Sequence, residues 1–365
     1  MKGWKGGAIG NQMNRSKTRE IRIGRVGVGG NNPVRVQSMT NTDTRDIEAT
    51  MQQICQLADA GCEIVRVAVP DREAGRCLGR IAEQSPLPVV ADIHFDYRLA
   101  LQSVEAGVHG LRLNPGNIGS KARVRRVVDA AASAGIPIRI GVNSGSVDKT
   151  ILRKFGGPTP EAMVASAMEH VRILEEYNFD LIKVSLKSSS VPSTIKACRL
   201  FAQKRNYPLH IGITEAGTPL RGASRSGVGL GILLYEGIGD TLRVSLTGDP
   251  VDEMLVAWEI LRSLGLRQRG PEIISCPTCG RTEIDLASMA TAVEKRLSKV
   301  EKHFTVAVMG CVVNGPGEAR EADIGLAGGR DCGIIFKKGQ IVRKVKGEAL
   351  LREFMQELDA FLRLT

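Results

Sequence analysis

Four stretches decide the fold: Ile64-Val-Arg-Val-Ala-Val69, Leu111-Arg-Leu-Asn114, Ile138-Arg-Ile-Gly-Val-Asn143 and Leu181-Ile-Lys-Val-Ser-Leu-Lys187. Each alternates aliphatic residues with other side chains, the two-residue period of a β-strand. Short apolar runs over 34–39, 89–94, 210–214 and 242–246 complete the series, and amphipathic helical patterns such as 45–60, 120–134, 161–177 and 252–264 follow strands. Gly61, Gly107, Gly135 and Gly265 stand where helices are expected to end. Eight strand–helix units between residues 34 and 263 predict an α/β fold, a closed (β/α)8 TIM-type barrel. An open doubly wound sheet is the rival.

Alternation also sorts the side chains. Val65, Val67, Leu111, Leu113, Ile138, Ile140, Ile182, Val184, Leu242 and Val244 are predicted to face the helices. The intervening positions point inward: Arg66, Asp92, His94, Arg112, Asn114, Arg139, Asn143, Lys183, Ser185, Arg243 and Ser245. A barrel of this kind normally fills its interior with branched apolar residues. Here five cations from five strands do so, and pairing them with Asp92 and Glu215 leaves three unmatched (five minus two). Buried unpaired charge is costly, so the interior is expected to take a polyanion, and a diphosphate fits best.

Past the barrel, Cys276-Pro-Thr-Cys279 and Gly310-Cys-Val-Val-Asn-Gly-Pro-Gly-Glu318 bring three thiols and one carboxylate. Three soft ligands and a hard, exchangeable one suit an iron–sulfur centre with one iron open to chemistry; a closed zinc site more often ends its set with cysteine or histidine. Residues 271–365 are expected to form a smaller α+β metal domain, with a hairpin over 333–344. The barrel spans 19–264, and 265–270 is a linker. Cys55, Cys62, Cys77, Cys198 and Cys332 read as small buried apolar residues.

With 365 residues the chain exceeds one average domain. The formal charge of +11 is concentrated early: residues 1–42 hold eight basic side chains against Glu20, a balance of +7. That argues for a basic, solvated tail over 1–18 rather than a nucleic-acid surface. Docking an acidic reductant is a further possible role for it. No signal-peptide core or membrane span is read, so a cytoplasmic, reduced setting is expected, without a disulfide framework. The glycine-rich stretch 25–32 reads as a turn or barrel floor, since no phosphate-loop ending follows it.

Helix eight of a barrel returns to the floor, whereas active sites lie at the opposite end. A seven-residue connection, 264–270, reaches at most about 25 Å. The metal domain is therefore expected to serve a second copy, giving a head-to-tail homodimer with an inter-subunit active site.

The motifs Val36-Gln-Ser-Met-Thr-Asn-Thr42, Ala91-Asp-Ile-His-Phe95, Leu111-Arg-Leu-Asn-Pro-Gly-Asn117, Ile140-Gly-Val-Asn-Ser-Gly-Ser146 and Gly212-Ile-Thr-Glu-Ala-Gly217 run in order with the two cysteine motifs. Together they resemble the bacterial 4-hydroxy-3-methylbut-2-enyl diphosphate synthase family of the non-mevalonate isoprenoid pathway. The resemblance implies reductive ring opening and dehydration of 2-C-methyl-D-erythritol 2,4-cyclodiphosphate. It implies a [4Fe-4S] cluster on Cys276, Cys279, Cys311 and Glu318, electrons from flavodoxin or ferredoxin, and a homodimer that shares its clusters. Carried over by motif, Arg66, His94, Arg112, Arg139, Lys183 and Ser245 would hold the diphosphate, while Asn114 and Asn143 orient the substrate. Glu318 is expected to yield its place to substrate. Glu215 is expected to be the acid, or else a salt-bridge partner of Arg243 or Arg66. The alternative is a zinc-dependent TIM-barrel lyase or hydrolase acting on a phosphorylated small molecule.

Overall fold

The computed structural model describes residues 15–298, 300–311, 319–329 and 331–364. Eight parallel strands form the first unit: β3 (Arg35–Met39), β4 (Ile64–Ala68), β5 (Val89–Asp92), β6 (Gly110–Arg112), β7 (Ile138–Asn143), β8 (Ile182–Lys187), β9 (His210–Ile211) and β10 (Thr241–Leu242). They pair in the order β8-β7-β6-β5-β4-β3-β10-β9. A parallel bridge between Val184 and Leu209 closes the ring, which removes the open-sheet rival.

Helices cover the outside, from α1 (Ile47–Asp59), α2 (Arg72–Gln84), α3 (Tyr97–Glu105) and α4 (Lys121–Ser133) to α5 (Lys149–Phe155) and α6 (Pro160–Glu175). Then follow α7 (Val191–Ala202), α8 (Pro219–Tyr235) and α9 (Pro250–Ser263). Asp46, Asp71, Thr159 and Ser190 cap helix N-termini through their side chains. Gly61, Gly107, Gly135 and Gly265 all take positive φ just after helices, as their placement predicts. The outward aliphatics, Val65 through Val244, are buried in one core shared with the helices.

β9 and β10 are only two residues long, shorter than the expected runs over 210–214 and 242–246. Glu215, Arg243 and Ser245 therefore sit on loops beyond strand ends, Arg243 still donating its backbone N–H to the Ile211 carbonyl.

The barrel floor is closed by a hairpin of β1 (Ile21–Ile23) and β2 (Val26–Val28). Ile21, Ile23 and Val28 pack against Ile64 and Val90 from inside the barrel, so the glycine-rich stretch is a floor. Part of the expected tail is also anchored. Arg15 pairs with Asp240 at 2.8 Å, the Ser16 N–H donates to the Gly237 carbonyl, and the Thr18 hydroxyl donates to Asp240. Residues 15–18 thus belong to the floor; 1–14 lie outside the described residues.

Gln268–Thr365 form a second compact unit. Its sheet runs in the order β11-β12-β13-β14-β15. Here β11 (Glu272–Ser275), β12 (Thr305–Met309) and β13 (Ile324–Ala327) are parallel. β14 (Cys332–Lys337) and β15 (Gln340–Lys346) form the expected hairpin. α10 (Leu286–Leu297) and α11 (Leu350–Leu364) pack on one face, over Val306, Val308, Leu326 and Ile335. The other face carries Ala307, Met309, Ala327, Ile334 and Phe336.

Not every cysteine follows its expectation. Cys62 and Cys198 are buried, and burial pushes both thiols up to about 12. Cys55 and Cys332 are exposed and Cys77 half-buried. Cys55 lies on the solvent side of its amphipathic helix, and Cys332 begins a strand.

Candidate functional site

A cavity of about 120 Å³ opens among the inward side chains, lined by Arg66, Asp92, His94, Arg112, Arg139, Asn143, Lys187, Thr214, Arg243 and Ser245. Strand pairing explains the convergence. Asp92 stands beside Arg112 and Arg112 beside Arg139, each on the neighbouring strand and facing inward. Two glycines make the space: a Cβ on Gly141 would lie 2.7 Å from Arg112 Nε, and one on Gly212 would lie 2.6 Å from Lys187 Nζ.

Two carboxylates organise this ring. Asp92 lies 3.3 Å from Arg112 Nη1 and 3.6 Å from both Arg66 Nε and His94 Nε2. Burial alone would raise the Asp92 pKa; Arg66, His94, Arg112 and Arg139 overcome it and hold the carboxyl well below its usual range. Glu253, on α9 and 3% exposed, is the second. It takes two contacts from Arg243 at 3.4 Å, the Ser38 hydroxyl at 3.1 Å and the Leu246 N–H at 3.2 Å. Glu253 therefore fixes both Arg243 and the loop that carries Ser245.

Five basic residues line the cavity (Arg66, Arg112, Arg139, Lys187 and Arg243); against the two carboxylates the four arginines leave a surplus of two (four minus two), and Lys187 adds a third charge when protonated. Arg139 is 3% exposed, and its one side-chain bond goes from Nη1 to Ser185 Oγ at 2.5 Å. Its Nε and Nη2 have no hydrogen-bond partner among the described residues. Burial pulls Arg66 down to about 10, still charged at neutral pH. Lys187 is also lowered well below its ordinary value, by burial first and then by Arg139, Arg243 and Arg66. Lysine is the cation that can yield its proton under such pressure; arginine stays charged.

The other predicted residues divide. His94 stands at the rim with its side chain 59% exposed. Asn143 lines the cavity and begins a short turn through Ser146. Asn114 instead spends both ends of its amide on the Gly141 backbone, at 3.0 and 2.8 Å, which ties β6 to β7. Lys183 lies deeper. It lines a small lower cavity with Ile23, Val90 and Arg139, and its Nζ is 3.5 Å from Gln37 Oε1. Barrel strands tilt, so the register row Arg112, Arg139, Lys183 descends towards the floor, and Lys187 takes the mouth position. Glu215 is exposed, with φ of 53°, and pairs with neither Arg66 nor Arg243, which are held by Asp92 and Glu253.

In the second unit, Cys276 directly follows β11, and Cys311 lies two residues beyond β12. The Cys276 N–H donates to Val308 O at 3.3 Å, the Glu283 N–H to Gly310 O at 3.0 Å, and the Gly310 N–H to Cys276 Sγ at 3.1 Å. The Cys-x-x-Cys turn and the Cys311 segment are thereby tied together at one end of the sheet. Backbone and side-chain hydrogen bonds from Arg281 lower the Cys279 thiol. Among the described residues no three His, Cys, Asp or Glu side chains stand close enough for a single metal ion. A four-iron cluster spaces its sulfurs more widely than one ion does, and the donor set of three thiols on adjoining loops fits its chemistry. Glu318, the expected fourth ligand, lies outside the described residues.

The pattern of the GcpE TIM-barrel domain matches residues 18–258, and that of the GcpE protein C-terminal domain matches 272–360. The chain belongs to the GcpE family. It is an enzyme of that family, an oxidoreductase. A relative from Maridesulfovibrio salexigens is 67% identical over 96% of this chain and 98% of its own. One from Geobacter sulfurreducens is 62% identical over 95% and 99%, and one from Clostridium perfringens 57% identical over 95% and 99%. All three are named 4-hydroxy-3-methylbut-2-en-1-yl diphosphate synthase (flavodoxin).

Two residues of this GcpE barrel went unnoticed in the sequence. Lys187 shares the inward parity of Lys183 and Ser185, so the strand period already marked it. Glu253 falls on the buried face of α9 with Met254, Ala257, Trp258 and Leu261, and a carboxylate on such a face was the signal.

Proposed function

We propose that this chain converts 2-C-methyl-D-erythritol 2,4-cyclodiphosphate to (E)-4-hydroxy-3-methylbut-2-enyl diphosphate. Two electrons and two protons enter. A ring carbon–oxygen bond to phosphate and a carbon–hydroxyl bond break, a carbon–carbon double bond forms, and one water leaves. The observation that carries this reading is the cation surplus of the barrel cavity, which calls for a compact polyanion. The relatives' shared name supports the product.

Arg66, Arg112, Arg139, Lys187 and Arg243 hold the diphosphate, with forked guanidinium groups giving direction and the lysine a point charge. Asp92 and Glu253 keep the guanidiniums in place, while His94 and Ser245 donate at the rim. Ring opening frees a third ionisable phosphate oxygen, so the surplus suits the charge that develops as the ring opens. Glu215 supplies the proton to the departing hydroxyl. Its left-handed backbone just beyond β9, next to cavity-lining Thr214, is strain of the kind kept for function. Cys276, Cys279 and Cys311, with Glu318, hold a [4Fe-4S] cluster, which supplies the electrons one at a time when bound. Flavodoxin, or a ferredoxin in its place, is the donor.

The short connection after α9 supports a homodimer in which the cluster domain of one copy serves the barrel of the other. Mixing strongly impaired Arg139→Met protein with inactive Cys276→Ser protein then raises turnover through heterodimers above the sum of the two; a strictly additive rate refutes the sharing.

The reaction is tested on anaerobically purified protein by iron and sulfide analysis, followed by ³¹P NMR of the cyclic substrate under reducing conditions. Brown protein that turns two cyclic phosphorus signals into those of a linear diphosphate supports the reading. Colourless, zinc-loaded protein that hydrolyses phosphate esters overturns it.

A further inference from the structure

The second unit carries a concentration of charge that the reaction does not use. Between Cys332 and Gly347 there are five basic residues, Lys337, Lys338, Arg343, Lys344 and Lys346, and no acidic one. Two are neutralised by α11: Lys337 pairs with Glu357, and Arg343 with Glu353 and Glu357. Lys338, Lys344 and Lys346 are exposed and have no carboxylate partner among the described residues. Beside them Ile341 and Val342 are 55% and 48% exposed. β15 is the edge of its sheet, so an apolar strip framed by lysines faces outward.

Register connects this edge to the cysteines. Ser275 pairs with Val308, so the next position in line puts Cys276 beside Met309. Met309 pairs with Ala327, Ala327 with Ile334, and Ile334 with Lys344. Cys276 and Lys344 thus belong to one cross-strand row on the face opposite α10 and α11. Lys346, paired with Cys332, stands one row nearer the sheet end from which Cys311 extends. Three strand spacings, about 14 Å, separate the β12 and β15 lines. A globular protein lying against the β15 edge covers that distance easily.

We propose that Lys338, Lys344 and Lys346, with Ile341 and Val342 between them, form the docking surface for an acidic one-electron carrier protein of the flavodoxin type. This rests on the redox reading above. Each visit passes one electron: the carrier's flavin is oxidised by one electron and the second unit is reduced by one, so two visits meet the two-electron demand. Charge complementarity selects the partner and speeds encounter, and the apolar strip gives the contact its dry centre. The basic N-terminal segment is the weaker candidate, because Arg15 is engaged by Asp240 and Arg19 lies over the Tyr207 ring. Edge lysines also guard a strand against pairing with other chains. That role is indifferent to the sign of the charge, so glutamates at the same positions fill it equally well.

The test is the full-length holoenzyme carrying Lys338→Glu, Lys344→Glu and Lys346→Glu, titrated with flavodoxin by calorimetry at several salt concentrations. The expected result is at least a tenfold weaker Kd and loss of most of the salt dependence. Turnover driven by flavodoxin falls in step, and turnover driven by reduced methyl viologen stays within twofold. Unchanged flavodoxin affinity overturns the proposal, as does a changed oligomeric state in light scattering, which would make a second copy of the chain the occupant. If the glutamates reduce iron content, Lys→Gln and Lys→Arg triple variants replace them. Weakened binding in the first and retained binding in the second support the surface, and equal binding in both refutes it. Failure of the redox reading itself is distinct: unaltered protein then turns over with neither donor.

Discussion

The mouth and the floor of the barrel interior handle charge in opposite ways. At the floor, Asp240 is met by Arg15, the Thr18 hydroxyl and the Leu209 N–H, beside a plug of Ile21, Ile23 and Val28. At the mouth five basic residues meet two carboxylates, and two nitrogens of Arg139 have no partner among the described residues. The floor carboxylate is fully partnered within the protein alone. The mouth keeps more cations than the carboxylates beside them can match, and that excess is electrostatic strain in the protein alone.

Arg139→Met breaks this comparison most directly. Removing the guanidinium should lower kcat/KM by about a hundredfold, through lost charge-assisted bonds to the diphosphate. The same change should raise stability by about 1–3 kcal/mol, since an apolar side chain of similar length replaces a buried, under-paired cation. Paired thermal melts and steady-state kinetics read both signs. Loss of stability together with loss of activity would place Arg139 among the structural residues.

Glu253→Gln and Asp240→Asn form the second pair. Each removes a buried carboxylate from a cation, and each should cost about 2–4 kcal/mol of unfolding free energy. Only Glu253→Gln should raise the substrate KM, by about 30-fold, because it frees Arg243 and the Ser245 loop. Equal KM changes in the two variants would erase the distinction between mouth and floor. Glu253→Asp, which keeps the charge, should recover part of the KM.

Gly141→Ala tests the space rather than the charge. The added Cβ would sit 2.7 Å from Arg112 Nε, so the guanidinium must move away from Asp92. A rise of about tenfold in KM is expected, at a stability cost of about 1–3 kcal/mol. A crystal structure of the variant with Arg112 unmoved would contradict the role given to this glycine.

Much of this was legible in the chain. Alternation fixed which side of each strand faced inward, and Arg66, Asp92, Arg112, Arg139 and Arg243 all reach the mouth cavity. Alternation carries no height information, however, so Lys183 and Lys187 look equivalent until strand tilt sends one down and the other up. Asn114 has the right parity yet satisfies its amide on the Gly141 backbone, a competition between partners that sequence does not rank. Glu253 arrives from a helix, and a reading confined to strands passes over it. The cysteine motifs were legible because the Cys-x-x-Cys spacing is local.

The smallest effect is also the one that discriminates best between the two ends. Burial, followed by Arg139, Arg243 and Arg66, depresses Lys187 well below its ordinary value of 10.5. In the unfolded chain that lysine binds its proton at every pH below 10.5, so over the window between its folded and unfolded values unfolding takes up a proton. The Lys187 contribution to the stability of the ligand-free protein therefore rises with pH across the window. A bound diphosphate favours the charged lysine and lifts its pKa, so binding also takes up a proton, and affinity must fall as pH rises, by about threefold per unit where uptake is partial. Stability and affinity should move in opposite directions with pH. Calorimetric titration of inorganic diphosphate in buffers of different ionisation enthalpy measures the uptake, and Lys187→Met should abolish it while Lys183→Met at the lower cavity leaves most of it. Uptake lost with Lys183 and retained with Lys187 would reverse the assignment of the two lysines to floor and mouth.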